Sequence, residues 1–292
     1  MEIRLVKKED LNDLKEIWKL SFGDPDRFID LYFQTRAWMT ETAVLLSGCK
    51  AVSMLTMIPV GLIEESGRKC GASMLYAIAT HPGFQKRGFA ERLISFSHEY
   101  LRSKQVTVTL LVPASEGLFR FYGKQGYQNG FFVREAVLGR EDIEKLPEKD
   151  SPPCRITAAE PAEYNRIRRK LLNGQAYVDY RDDEVLFQKR LARMSDADLF
   201  AIEAGGLEGC AYAERTSQEE VIVKELLIPD RCLAAALLEL SGLLPGDRYI
   251  VRTAPGFGEI LGGEVRPFGM LRFNGTGGSP ADTAFYLGIA YD

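Results

Sequence analysis

Histidine is scarce in this chain: only His81 and His98 occur among 292 residues. The five cysteines (Cys49, Cys70, Cys154, Cys210 and Cys232) are odd in number, scattered, and form no C-x-x-C pair. This argues against structural zinc or any other metal site and against a disulfide framework. No apolar run reaches the roughly 18 residues of a membrane span, and the polar start MEIRLVKKEDLND has the wrong chemistry for a signal peptide. A cytoplasmic protein without membrane contact is expected. Positive charge is not in excess, since 37 Lys and Arg against 41 Asp and Glu leave a net charge of −4. That balance disfavours nucleic acid as a partner and weakly suits a cationic substrate. Neither G-x-x-x-x-G-K-[ST] nor G-x-G-x-x-G is present, so P-loop and dinucleotide-binding readings lose their support.

What is present is ordinary for a folded chain: 46% hydrophobic and 27% charged residues, with length for two domains of usual size. Glu2 to Val6 alternates like a strand. Leu11, Leu14, Ile17 or Trp18, and Phe22 then recur at helical spacing. A short helix is expected over Pro25 to Phe33, with Asp24 as N-cap and Pro25 in the first turn. Ala43–Ser47, Ala51–Ile63 and Ser73–Thr80 read as a three-strand meander. A helix follows from Gly88 to Ser103, its apolar face carrying Phe89, Leu93, Phe96 and Tyr100. Val106–Val112 is a strand, Ser115–Gln125 a helix closed by Gly126, and Tyr127–Leu138 an extended segment.

Between Gly139 and Cys154 the chain turns polar and proline-bearing, which places a domain boundary at 145/146. Beyond it come helices over Glu163–Leu172 and Asp183–Met194, and strands over Leu199–Glu203, Gly209–Glu214 and Val221–Ile228. A helix over Cys232–Leu244 and a strand over Arg248–Arg252 complete the order. It echoes the first half, suggesting an internal repeat.

The stretch Gln85-Lys86-Arg87-Gly88-Phe89-Ala90 sits between a strand end and a helix start. Unpaired N–H groups and the macrodipole make such a junction an anion site, and Gly88 and Ala90 allow close approach to the backbone. The plainer reading is a strand-to-helix turn with a solvated Lys-Arg pair. His81 is expected to be structural and His98 solvated. Cys49 and Cys70 are expected to be small core residues. Glu64, Glu65 and Glu135 lie near strands and are more ordinary as edge carboxylates than as a general base.

The segment Leu75–Tyr127 resembles the acetyl-CoA-binding core of the GNAT acetyltransferases. Gln85, Gly88 and Ala90 match the motif [Q/R]-x-x-G-x-[G/A], and the flanking strands and the run Phe121-Tyr122-Gly123-Lys124-Gln125-Gly126-Tyr127 match in order. The resemblance implies an α/β (α+β) fold of two GNAT-like domains, residues 1–145 and 146–292, each a central mixed twisted sheet flanked by helices, the second degenerate. It implies acetyl-CoA as acyl donor, no metal, and an amine of a small molecule or peptide as acceptor; a homo-oligomer is compatible with it. The backbone of Ala77, Ile78 and Ala79 would bind the pantetheine arm. Gln85, Lys86, Arg87, Gly88, Phe89 and Ala90 would hold the pyrophosphate. Ser115 stands where many members carry an asparagine near the pantetheine, and Tyr122 aligns with the tyrosine that protonates the leaving thiolate. An aromatic that only packs with Leu118 is the plainer reading of Tyr122.

The tandem arrangement is similar to the enhanced-intracellular-survival type, which acts on amines. That type normally carries a third, sterol-carrier-like domain for which 292 residues leave no room, so the resemblance does not by itself imply its broad aminoglycoside specificity, and polyamines, aminoglycosides, peptides and lysine side chains all stay open as acceptors. Its terminal carboxylate reaches the active site. Here the apolar end Phe285–Asp292 is either a strand that simply stops or a tail bringing Asp292 to the first domain's cleft. A non-catalytic acyl-CoA sensor is the alternative from another class. Aminoacyl transfer to cell-wall precursors would call for a more basic surface.

Overall fold

The computed structural model describes residues 1–36, 38–146, 152–274 and 284–291. The first half runs β1 (Glu2–Leu5), α1 (Leu11–Phe22), α2 (Asp26–Thr35), α3 (Trp38–Glu41), β2 (Thr42–Ser47), β3 (Lys50–Ile63), β4 (Lys69–Thr80), α4 (Phe89–Ser103), β5 (Val108–Leu111), α5 (Glu116–Lys124) and β6 (Gln128–Gly139). After α6 (Arg140–Lys145) come β7 (Cys154–Ala158), α7 (Pro161–Leu171), β8 (Tyr177–Asp179), α8 (Asp182–Met194), β9 (Leu199–Ala204), β10 (Leu207–Arg215), β11 (Glu220–Leu227), α9 (Asp230–Leu243), β12 (Arg248–Thr253) and β13 (Glu264–Phe273). It is a mixed α/β fold, and its helices flank one large mixed sheet.

The strands follow the order β1-β2-β3-β4-β5-β13-β6-β12-β11-β10-β9-β7, with β8 against β3. The two parallel pairs, β4–β5 and β11–β12, occupy matching places on either side of the β13–β6 centre. Strand β13, from the second half, lies between β5 and β6 of the first, and β6 in turn pairs with β12. The halves therefore exchange central strands, and the backbone hydrogen bonds of each complete the other's sheet. Residues 147–151, within the expected linker, lie outside the described residues.

Local features explain several departures from the expected pattern. In α4 the buried stripe is Phe89, Leu93, Ile94, Ser97 and Leu101, while Phe96 and Tyr100 stack on each other at the margin. Pro25, not Asp24, is the N-cap of α2. Asp24 instead accepts a 2.7 Å hydrogen bond from the buried Trp18 indole, tying α2 to α1. Cys49 sits in the β2–β3 turn and is exposed rather than in the core.

The C-terminal segment is held from several sides. Phe285 exchanges backbone hydrogen bonds with the Gly130–Phe132 stretch of β6, and Tyr286 does so with the Ala176–Val178 stretch. Arg168 and Glu225 form an ion pair with no solvent exposure, joined by the Tyr164 hydroxyl at 2.5 Å. Arg168 Nη2 and the Tyr180 hydroxyl both donate to the Leu287 carbonyl. Burial of such a charge is sustained by this full set of partners.

Candidate active site

Strands β4 and β5 pair in parallel only over Ala72–Met74 and Val108–Leu110. Beyond that point β4 continues to Thr80 while β5 ends at Leu111, so the two strands part as a fork. The cause lies on the other edge of β4. Its register with β3 slips between Met54/Ala79 and Thr56/Tyr76, so Ala77 and Ile78 face one residue, Leu55. Ala77 adopts a φ of +48°. This is a β-bulge, which bends its strand and re-aims the backbone groups around it.

A cavity of about 780 Å³ opens at the fork. Ala77 and Ile78 line it, as do Leu111, Val112 and Tyr122. Ala79 does not. Its carbonyl accepts a 2.7 Å hydrogen bond from the Ser53 hydroxyl, which fixes the far side of the bulge.

The loop after β4 arrives at the N-terminus of α4. Gln85 Nε2 donates to the Thr80 carbonyl at 3.2 Å and Arg87 Nη2 to that of Gly83 at 3.3 Å, and the Arg87 guanidinium lies 5.1 Å from the Phe84 ring. Lys86 and Gly88 both adopt left-handed backbone, φ +61° and +72°. Gly88 is the N-cap of α4, and among the described residues no side chain caps its first N–H groups. Phe89 is buried and anchors the helix start in the same apolar cluster as Tyr122, while Ala90 is half-buried. The loop thus presents open backbone donors, a helix dipole and two exposed cations together, the arrangement that binds an anion.

Tyr122 lies on α5 and is 7% exposed at the cavity wall. Its hydroxyl makes no hydrogen bond to another described residue, and burial raises its pKa to about 12. The neighbouring Tyr127 is committed elsewhere, donating to Thr109 Oγ1 at 3.1 Å and meeting His98 Nε2 at 2.9 Å. Ser115 is the N-cap of α5, exposed, and not part of the cavity wall.

The second half supplies the opposite wall. Glu214, Lys224, Arg252, Arg266 and Phe268 line the cavity together with Gln188. Lys224 Nζ stands 3.1 Å from Glu214 Oε2, and the Tyr212 hydroxyl donates to the same carboxylate. Arg252 and Arg266 both grip Glu135 and both lie against the Phe268 ring. Glu135 is therefore a clamped structural carboxylate, held below its usual pKa by the two guanidinium groups despite burial. Spread over positions 188 to 268, these residues share no motif or spacing. The wall carries both signs, so the overall charge of −4 does not set the polarity of the site.

Ala290 and Tyr291 also line the cavity; Asp292 lies outside the described residues. The Tyr291 hydroxyl donates to Glu184 at 2.6 Å and accepts from Arg36. Glu64 pairs with Arg68 in the β3–β4 turn and, like Glu65, is not in the cavity wall. At the start of α9 the Asp230 carboxylate accepts a 2.9 Å hydrogen bond from the Gly258 N–H.

The sequence profile of the acetyltransferase (GNAT) domain matches residues 2–130. No curated protein matches the chain in sequence. A GCN5-related N-acetyltransferase from Kribbella flavida superposes with a TM-score of 0.70 at 16% identity, over 93% of this chain and 70% of that one. Eis1 from Mycobacterium abscessus gives 0.67 at 11% identity, over 94% and 74%. A tandem GNAT protein from the clavulanic acid biosynthesis pathway gives 0.57 at 13% identity, over 95% and 100%. At these identities the likeness is one of fold.

Proposed function

We propose that this chain, whose residues 2–130 match the acetyltransferase (GNAT) domain profile, transfers an acetyl group from acetyl-CoA to an amine by direct attack, and that the second half is a degenerate copy of the same unit. The observation that carries this reading is the fork between β4 and β5. It opens a strand edge at Ala77 and Ile78 onto a cavity walled by Tyr122, next to the open helix start at Gly88.

The residues fit an acyl-CoA. The β4 edge from Tyr76 to Ile78 offers backbone groups to an extended pantetheine arm. The Gln85–Ala90 loop offers N–H donors and charge to a pyrophosphate, and Gly88 leaves room there that a larger side chain would fill. Acetyl-CoA supplies a thioester whose carbonyl carbon is open to attack. The acceptor nitrogen forms the new C–N bond as the C–S bond breaks, and the nitrogen's proton leaves to solvent in the cavity. Tyr122 gives its phenolic proton to the departing sulfur and recovers one from water. A phenol raised to about 12 by burial is fully protonated at working pH and is therefore always loaded as an acid. Its handicap against a thiolate, whose acid form has a pKa near 8.5, is overcome only by contact in a dry site.

Tyr122→Phe keeps the ring packing and removes the proton. Free thiol released over an amine panel should fall at least about tenfold in kcat, with acetyl-CoA affinity by calorimetry changed less than about threefold. Equal turnover in the variant removes Tyr122 from the chemistry. Acetyl-CoA binding without consumption in the wild type would make the chain an acyl-CoA sensor instead.

A further inference from the structure

Along the C-terminal half of α4, beside the end of β13, lies a second cavity of about 210 Å³. Ser95, His98, Glu99, Arg102, Arg272 and Asn274 line it. Two guanidinium groups thus converge on one small space. Among the described residues neither makes an ion pair with a carboxylate, and the exposed Glu99 shares the lining with them. Arg272 donates to Asn274 Oδ1 at 3.4 Å, and Asn274 is fixed by its own bond to the Val106 carbonyl. Gly126, in a left-handed turn, makes room for Arg272: a Cβ there would lie 3.2 Å from Arg272 Nε. The positive field is felt by His98, half-buried and bonded to Tyr127, whose pKa is lowered to about 4 by burial and by Arg272 and Arg102. The sequence reading of His98 as a solvated residue is corrected by this placement.

We propose that this cavity is a binding site for a small phosphate-type oxyanion, held by Arg102 and Arg272 with Ser95 and Asn274 as further hydrogen-bonding groups. Planar guanidinium donors match such oxyanions with paired N–H bonds. Convergence of two of them, with no ion pair to the exposed Glu99 that shares the lining, is relieved when an anion arrives. Size decides between ligands. A pocket for a drug-sized molecule runs to about 300–1,000 Å³, so this one takes free phosphate, or the phosphoryl head of a monoester whose remainder stays outside. The site is independent of acetyl transfer and separate from the fork cavity, with which it shares no lining residue.

The test is titration of the full chain with inorganic phosphate at constant ionic strength, chloride making up the balance. It is followed by calorimetry and by the ring-proton NMR signals of its two histidines. Saturable binding is expected, with the His98 signal moving and its titration displaced upward, because the anion offsets the arginine field. Arg102→Gln should weaken phosphate at least tenfold; the same change at Arg120, exposed on α5, should not. Arg272→Lys, which keeps the charge but loses the fork, provides a second variant at the less exposed position and should weaken it as well. A monoester such as glycerol phosphate binding as tightly as free phosphate identifies the open-mouthed form of the site; one binding far more weakly identifies the closed form. Non-saturable response, equal affinity in Arg102→Gln and Arg272→Lys, or displacement of phosphate by saturating acetyl-CoA would each overturn the proposal.

Discussion

Replacing Gly288 by alanine should destabilise the fold by about 4–7 kcal/mol, the sum of a backbone cost and a displaced charge. Gly288 has a φ of +71°, and a Cβ there would overlap Glu225 Oε1 and stand 2.6 Å from Arg168 Nη2. Left-handed backbone costs a non-glycine residue about 1–2 kcal/mol. Displacing one partner of a buried ion pair costs about 3–5 kcal/mol, because the other charge is left without compensation. Arg168 and Glu225 both have 0% side-chain exposure, so neither has water to turn to. Gly174→Ala is the control, since its φ is +82° with nothing within 4 Å of the added Cβ; it should show the backbone cost alone. The assay is urea unfolding followed by tryptophan fluorescence, for which the buried Trp18 and Trp38 are reporters. A shift below about 1 kcal/mol relative to Gly174→Ala would refute the reasoning, by showing that the pair moves aside freely. Should the chain stay folded with the tail displaced, Ala290 and Tyr291 leave the cavity wall and the acceptor KM rises.

Gly88→Asp tests the donor loop without threatening the helix. Aspartate is a good N-cap and tolerates left-handed backbone, so stability should stay within about 1 kcal/mol, while a carboxylate in the anion site should weaken acetyl-CoA at least tenfold by calorimetry; unchanged affinity removes the loop from the donor site. The pH dependence of stability carries the signature of His98. Its folded pKa is depressed to about 4, so between about 6.5 and 4 the unfolded chain binds the proton and the folded one does not, and stability falls as pH falls through that window. For a partly exposed ring the loss is about 1–2 kcal/mol after screening. His98→Gln should flatten the corresponding part of the urea-midpoint profile between about pH 7 and pH 4.5, and identical profiles for wild type and variant contradict the assignment.

The local half of the site was legible because its information is local. Gly88 reads as a helix start since its conformation and the following amphipathic turn are properties of a few neighbouring residues, and α4 begins at Phe89 as expected. Tyr122 stands out only through the resemblance of the run Phe121–Tyr127 to a GNAT signature; its own spacing reads as an aromatic packing with Leu118. The same reasoning missed β13, whose apolar stretch follows Pro255, Gly256 and Gly258 and pairs with strands more than 100 residues earlier. It misread His98, whose polar helix face is covered by Tyr127 and overlooked by Arg272 from another strand. It treated Glu135 as an edge carboxylate, while Arg252 and Arg266 arrive from β12 and β13 to clamp it.

The sequence by itself determined most of the longer helices and strands and the helix-start loop at Gly88, set by backbone preference and apolar period over a turn or two. Only the tertiary structure decided that the halves exchange central strands and that the cavity's second wall comes from Lys224, Arg252 and Arg266. It also decided that the C-terminal segment threads past a buried ion pair to reach that cavity. Those outcomes depend on strand pairing and burial between residues far apart in the chain, where no spacing along the sequence carries the signal.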